Sequence, residues 1–261
     1  MHTSLVLALA ASSLVFAAAA SAAAPEAARA QLAASGKLRA GMNLSNTLFM
    51  TKDASTGELR GVSVDLMREL ASRLEVPVEF VVYPTPGDVA DDVGKGKWDV
   101  AILAIEQSRA QTIDFSPPMT EIEATYVVHK DSPLKTAEQV DAPGIRIAAN
   151  DKAGYELYLT RALRYATLVR ARAPEPITIF NEKRAEAIAA LKPMLLESMD
   201  KMPDGRMVEG RFMTVNHGFG IARDRQAGAD YLKAFVADVI ASGLVARSIV
   251  RNRVNGMSAL K

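Results

Sequence analysis

An α/β architecture, with two units packed around a cleft, is what this chain predicts, and three observations carry it. Residues 37–118 read strand, helix, strand, helix, strand, an order that builds a parallel sheet with crossover helices. A second strand–helix alternation fills roughly 124–214. Two strand-like segments, Met119–Glu123 and Val215–Phe219, connect the two units.

Each element has its own signal. Glu26–Ser35 is alanine-rich and helical, with Gly36 as its stop. Lys37–Met42 is the first strand, and Asn43–Asn46 leaves it in a polar turn. Asp53–Gly57 clusters turn formers. After Gly61, apolar Val64, Met67, Leu70 and Leu74 keep helical spacing. Val76–Tyr83 is the second strand, Pro86–Gly94 a short helix, and Trp98 opens the third strand. Ile113–Ser116 is a further short strand, closed by Pro117-Pro118, which cannot continue a sheet. In the second unit, Ala124–His129, Ile145–Ala149, Thr167–Arg170 and Ala185–Leu191 are strands. Thr136–Gln139 forms a helix capping box, and a helix runs from Ala153 to Leu163. Gln226–Ala241 is amphipathic, with Leu232, Phe235, Val236 and Val239 on one side. Gly243 breaks it, and a last helix reaches Asn252.

Composition narrows the function classes. Hydrophobic residues at 49% and charged residues at 23% fit a folded soluble chain. A net charge of +1 suggests neither nucleic acid nor a membrane surface. Without cysteine there are no disulfides or thiolate metal sites. Leu5–Ala20 is an apolar run followed by Ala20-Ser-Ala22 and Ala22-Ala-Ala24, the pattern of a cleaved secretory leader over residues 1–24. No cysteine follows that run to carry a lipid anchor, so the mature protein is expected free outside the inner membrane. Nucleophilic catalysis has little support, since there is no G-x-S-x-G elbow. His129 and His217 alone do not make a metal site, and Gly218-Phe-Gly220 is no dinucleotide fingerprint. No catalytic residue, metal or cofactor is expected.

The chain is organised around Trp98–Pro118. Val100–Ile105 is an apolar run suited to a strand buried on both faces. Just past its carboxyl end comes Arg109, where ligands bind in open α/β sheets. Asp99, Arg109 and Asp114-Phe-Ser-x-Pro118, in that order, resemble the signature region of the solute-binding proteins of polar amino-acid ABC transporters. The resemblance runs from about Lys37 to about Asn252. Three departures accompany it: a turn before Arg109 about two residues shorter than usual, Val62 where Phe is usual before Asp65-Leu66, and Leu191 where amino-acid binders place an aspartate for the ligand ammonium.

The resemblance implies a type II periplasmic binding protein. Domain 1 would be discontinuous, 25–122 with 216–261, and domain 2, 123–215, inserted, with Met119, Glu123, His217 and Phe219 at the hinge. Such a protein is a monomer that captures a small carboxylate-bearing metabolite, an amino acid or organic acid, and hands it to an ABC transporter permease. An enzyme on the same fold, like the cyclohexadienyl dehydratases, is the alternative, with Glu106 and His217 as its candidate acids. The carboxylate would lie between Arg109 and the turn Asn150, Ala153, Gly154 and Tyr155, where free amides at a helix N-terminus bind anions. Leu103 and Ala104 at the strand end, Asn43 and Asn46 in the first turn, Leu48 (with Phe49 as neighbour) and Tyr83 would line the cleft. With Leu191 unable to accept a hydrogen bond, either Glu106 takes the ammonium or the ligand is not an α-amino acid.

Overall fold

A computed structural model describes residues 24–261, so the leader expected over residues 1–24 lies outside the described residues but for Ala24. In chain order the elements are α1 (Glu26–Leu32), β1 (Leu38–Asn43), β2 (Thr51–Lys52), β3 (Leu59–Arg60), α2 (Val62–Arg73), β4 (Val78–Tyr83), α3 (Pro86–Asp91), β5 (Val100–Ala104), β6 (Ile113–Phe115) and β7 (Thr120–His129). There follow β8 (Arg146–Asn150), α4 (Gly154–Ala162), β9 (Thr167–Ala171), α5 (Glu175–Asn181), β10 (Ala187–Leu191), α6 (Lys192–Glu197), β11 (Gly205–Met207), β12 (Met213–Ala222), α7 (Gln226–Ala241), α8 (Leu244–Arg251) and β13 (Met257–Ala259).

One curled sheet of 11 strands runs through the molecule in the order β4-β1-β5-β12-β7-β10-β8-β9, with β6, β11 and β13 on its flanks. Each end is parallel: β4, β1 and β5 at one, β10, β8 and β9 at the other. The ten-residue strands β7 and β12 run antiparallel between them, pairing Thr120–Ala124 with His217–Met213. Beyond that shared stretch they part, β12 to β5 and β6, β7 to β10 and β11. The expected crossings therefore lie in and beside these two strands. Phe219, expected with them, instead pairs with Ile102 and meets Phe235 edge-on at 5.4 Å in the first half's core.

Helix burial follows sequence periodicity. α2 buries Val62, Val64, Leu66, Met67, Leu70 and Ala71, and each large apolar side chain so removed from water is worth about 1.5–3 kcal/mol. Its Asp65, part of the resemblance, accepts from Ser248 Oγ at 2.6 Å and Asn252 Nδ2 at 2.7 Å, tying α2 to α8. Gly61 stands at φ 134° beside the Phe49 carbonyl, a conformation and a fit that require glycine and seat the loop after β1. The strand expected from Trp98 begins at Val100; Trp98 instead donates its indole N–H to the Val89 carbonyl at 2.9 Å and closes a small satellite core.

Candidate functional site

β5 ends at Ala104, and the chain turns through Glu106–Ser108 into a short 3₁₀ turn, Arg109–Gln111. That turn carries the Arg109 side chain into the interior, where the residue is 5% exposed. Its Nη1 donates to the Ala104 carbonyl at 3.1 Å and its Nη2 to the Lys152 carbonyl at 2.9 Å. Among the described residues no carboxylate lies within ion-pair distance of it. Burial pushes the guanidinium down to about 10, partly offset by the charges of Glu106, Asp91 and Glu156. Arg109 is thus a desolvated cation with spare N–H donors.

The segment opposite is the turn from β8 into α4. Lys152 takes φ 55°, and its amide donates to Glu156 Oε2 at 3.0 Å. Glu156, buried, is itself held by Arg170 Nε at 2.7 Å. The turn is thus fixed from behind, and the N-cap, Ala153, offers no side-chain oxygen. Since the first intrahelical bond runs from Leu157 N to the Ala153 carbonyl at 2.9 Å, the amides of Gly154, Tyr155 and Glu156 have no intrahelical acceptor. A Cβ on Gly154 would collide with that of Ala104, so glycine lets this helix end press against the end of β5.

Between these segments lies a cavity of about 60 Å³. Of the residues expected to bind, Asn43, Asn46, Leu103, Ala104, Arg109, Asn150, Ala153, Gly154 and Tyr155 line it. Three others do not. Leu48 is buried in the main core. Tyr83 donates its hydroxyl to Asp92 at 3.1 Å and packs against the satellite core. Glu106 faces Arg161, which clasps its carboxylate with both terminal nitrogens, Nη2 at 2.9 Å from Oε1. His217, read as a hinge residue, lines the cavity with its ring 4.5 Å from that of Phe49. Burial first, and Arg109's charge second, push His217 down to about 3, so it is a neutral imidazole.

Leu191, which the resemblance set where an aspartate is usual, does line the cavity at the junction of β10 and α6, and sequence reasoning passed over its neighbour Met194. Proline at the first positions of a helix is a start signal, and Pro193 supplied it unread. Four buried polar atoms around the cavity have no hydrogen-bond partner among the described residues: Asn46 Oδ1, Asn150 Oδ1, Tyr155 Oη and His217 Nδ1. Burial raises the Tyr155 hydroxyl to about 12, against the opposing pull of neighbouring Asn150, so it stays protonated and able to donate.

Residues 38–251 match the model of the bacterial extracellular solute-binding proteins, family 3. The chain belongs to that family. Among individual relatives of this family 3 protein, a glutamine-binding protein of Geobacillus stearothermophilus is 25% identical over 207 residues, 72% of this chain and 74% of that one. The present chain has the fold of type II periplasmic binding proteins. The solved solute receptor for L-cysteine of Neisseria gonorrhoeae superposes with a TM-score of 0.74 at 19% identity, covering 87% of this chain and 95% of the receptor. An ancestral amino acid-binding protein, described as a precursor of cyclohexadienyl dehydratase, gives 0.70 at 23% identity, covering 85% and 98%. Family members are extracellular or periplasmic solute-binding proteins, and no helix among the described residues is long and apolar enough to cross a membrane.

Proposed function

We propose that this solute-binding family member is the substrate-binding component of an ABC importer, working in the periplasm as a monomer and passing its ligand to a permease. Residues 25–122 with 216–261 form one domain and 123–215 the other. They close by bending at Met119–Glu123 and Val215–His217 around a small carboxylate-bearing metabolite, the class that includes amino acids.

One observation carries this reading: Arg109 is a buried guanidinium with no anionic partner among the described residues, facing the uncapped amides of α4 across a cavity. A guanidinium fork and a helix N-terminus are complementary to a carboxylate, which would replace lost hydration with charge-assisted hydrogen bonds. An enzyme would need a positioned general acid, and neither candidate is poised to give a proton. His217 is neutral near pH 7, and Glu106 lies outside the cavity in the grip of Arg161.

A thermal-shift screen of amino and organic acids is the first test. At 100 times its Kd a ligand adds about 2.7 kcal/mol of stability, a rise of roughly 5–10 °C for a chain of this size. Titration calorimetry of Arg109→Ala with the best hit should show a loss of about 2–5 kcal/mol, 30-fold to several-thousand-fold. Arg109→Lys, which keeps charge without the fork, should fall between the two. Unchanged affinity in Arg109→Ala would end the carboxylate assignment. Release of aromatic product from prephenate would establish the enzyme instead.

A further inference from the structure

The charges around this cavity say more about its occupant than that it carries a carboxylate. Of the described residues that line the cavity, none is Asp or Glu, and Arg109 is the one formal charge among them. The carboxylates whose fields reach Arg109 are Glu106, Asp91 and Glu156. Each is already engaged by another cation. Glu106 is held by Arg161, Asp91 lies 2.5 Å from Lys152 Nζ, and Glu156 lies 2.7 Å from Arg170 Nε.

A ligand carboxylate would neutralise Arg109. An α-ammonium brought in with it would be a second buried cation beside the first, with no counter-ion in the wall. Carbonyl oxygens such as Asn46 Oδ1 and Asn150 Oδ1 can accept its N–H bonds, but they cannot offset its charge. The other unpartnered groups, Tyr155 Oη and His217 Nδ1, are neutral too. A neutral polar lining of this kind satisfies a hydroxyl, a ketone or a carboxamide.

Resting on the reading of Arg109 as the carboxylate anchor, we propose that this site selects small monocarboxylic acids with a neutral polar group where an amino acid has its ammonium, such as 2-hydroxy and 2-oxo acids.

The test is titration calorimetry of the folded chain with matched pairs: glycolate against glycine, and L-lactate and pyruvate against L-alanine. Glycolate, lactate or pyruvate should bind at least about tenfold more tightly than its amino partner, since each buried charge left unpaired costs more than a factor of ten. Tyr155→Phe removes one oxygen and leaves the ring packing in place. It should weaken the preferred acid about tenfold while circular dichroism and the melting temperature hold. If glycine or alanine binds as tightly as its partner, and Arg109→Ala abolishes that binding, the exclusion of ammonium is overturned while the carboxylate anchor stands. If Arg109→Ala leaves the binding of every probe unchanged, the anchor itself falls and this inference with it. Binding by none of the probes overturns the assignment.

Discussion

His217 shows how one buried side chain couples the site to stability. Its ring is 5% exposed, lies against Phe49 and is held far below the usual imidazole range, at about 3, by burial and by Arg109. The unfolded chain binds a proton at this histidine below about pH 6.5, while the folded chain does not until about pH 3. Between those values the unfolded state holds more protons, so stability falls as pH is lowered through the window and is fully present above it. From pH 7 to pH 4.5 this group alone should remove roughly 2–3 kcal/mol. Asp65 and Glu123, whose pKa values are lowered in the folded state, lose stabilisation in the same direction as they protonate. The informative quantity is therefore the difference between wild type and His217→Gln in urea unfolding at the two pH values. The variant should lose roughly 2–3 kcal/mol less over that interval. An equal loss in both proteins would show that His217 is not buried as a neutral ring.

At the scale of elements, Asp99 joins the two ends of the first half. Its side chain is fully buried, and its carboxylate takes Arg39 Nε at 2.9 Å, the Arg39 amide at 3.1 Å and Arg225 Nη1 at 3.2 Å. This carboxylate sits just before β5 and ties it to β1 and to the start of α7. Asp99→Ala should cost about 3 kcal/mol, the low end for a broken buried pair, because both arginine side chains keep about one-fifth of their surface in water. Equilibrium denaturation measures it, and a loss under 1 kcal/mol would show that the cluster holds nothing together. Asp99 was legible as part of a pattern, yet its role was not, since both partners lie far away in sequence. The same distinction holds across the fold. Long periodic elements such as α2 and α7 were readable because a 3.6-residue stripe states which face is buried. The β2–β3 hairpin was not, because two-residue strands are too short to show alternation. Arg109 and the Asn150–Tyr155 turn were each legible, from a strand end and a helix start, but it was the family resemblance that paired them. Leu48, Tyr83 and Glu106 were misplaced because a residue's neighbourhood in sequence does not say which way its side chain turns. Leu48 turned to the core, Tyr83 to Asp92 and Glu106 to Arg161.

Over the whole molecule, the two halves meet across the cleft as acid against base. Asp88 lies 3.0 Å from Arg172, Asp91 2.5 Å from Lys152, and Glu106 lies in the fork of Arg161. The acids belong to α3 and the turn after β5, the bases to the segment from β8 to just beyond β9. These pairs are not equal. The Asp91–Lys152 side chains are about half exposed and Arg172 is 67% exposed, so each of those pairs is worth about 0–1 kcal/mol and is screened by salt. The Glu106 side chain is only 5% exposed, so its pair is the least screened of the three and, under the proposed closure, contributes most to holding the halves together. Under the proposed hinge closure, the apparent affinity scales with the fraction of molecules able to close. Glu106→Gln keeps the shape and removes the charge, leaving Arg161 free to swing into water, where 40% of its side chain already lies. It should lower the affinity for every carboxylate ligand by about the same factor, roughly tenfold for a pair worth about 1.4 kcal/mol, and leave the preference between an amino acid and its deaminated partner untouched. Small-angle scattering should show a larger radius of gyration for the unliganded variant than for the unliganded wild type, with both compact at saturating ligand. A selective loss for amino acids alone would mean that Glu106 reads an ammonium after all and that Arg161 yields it when ligand arrives.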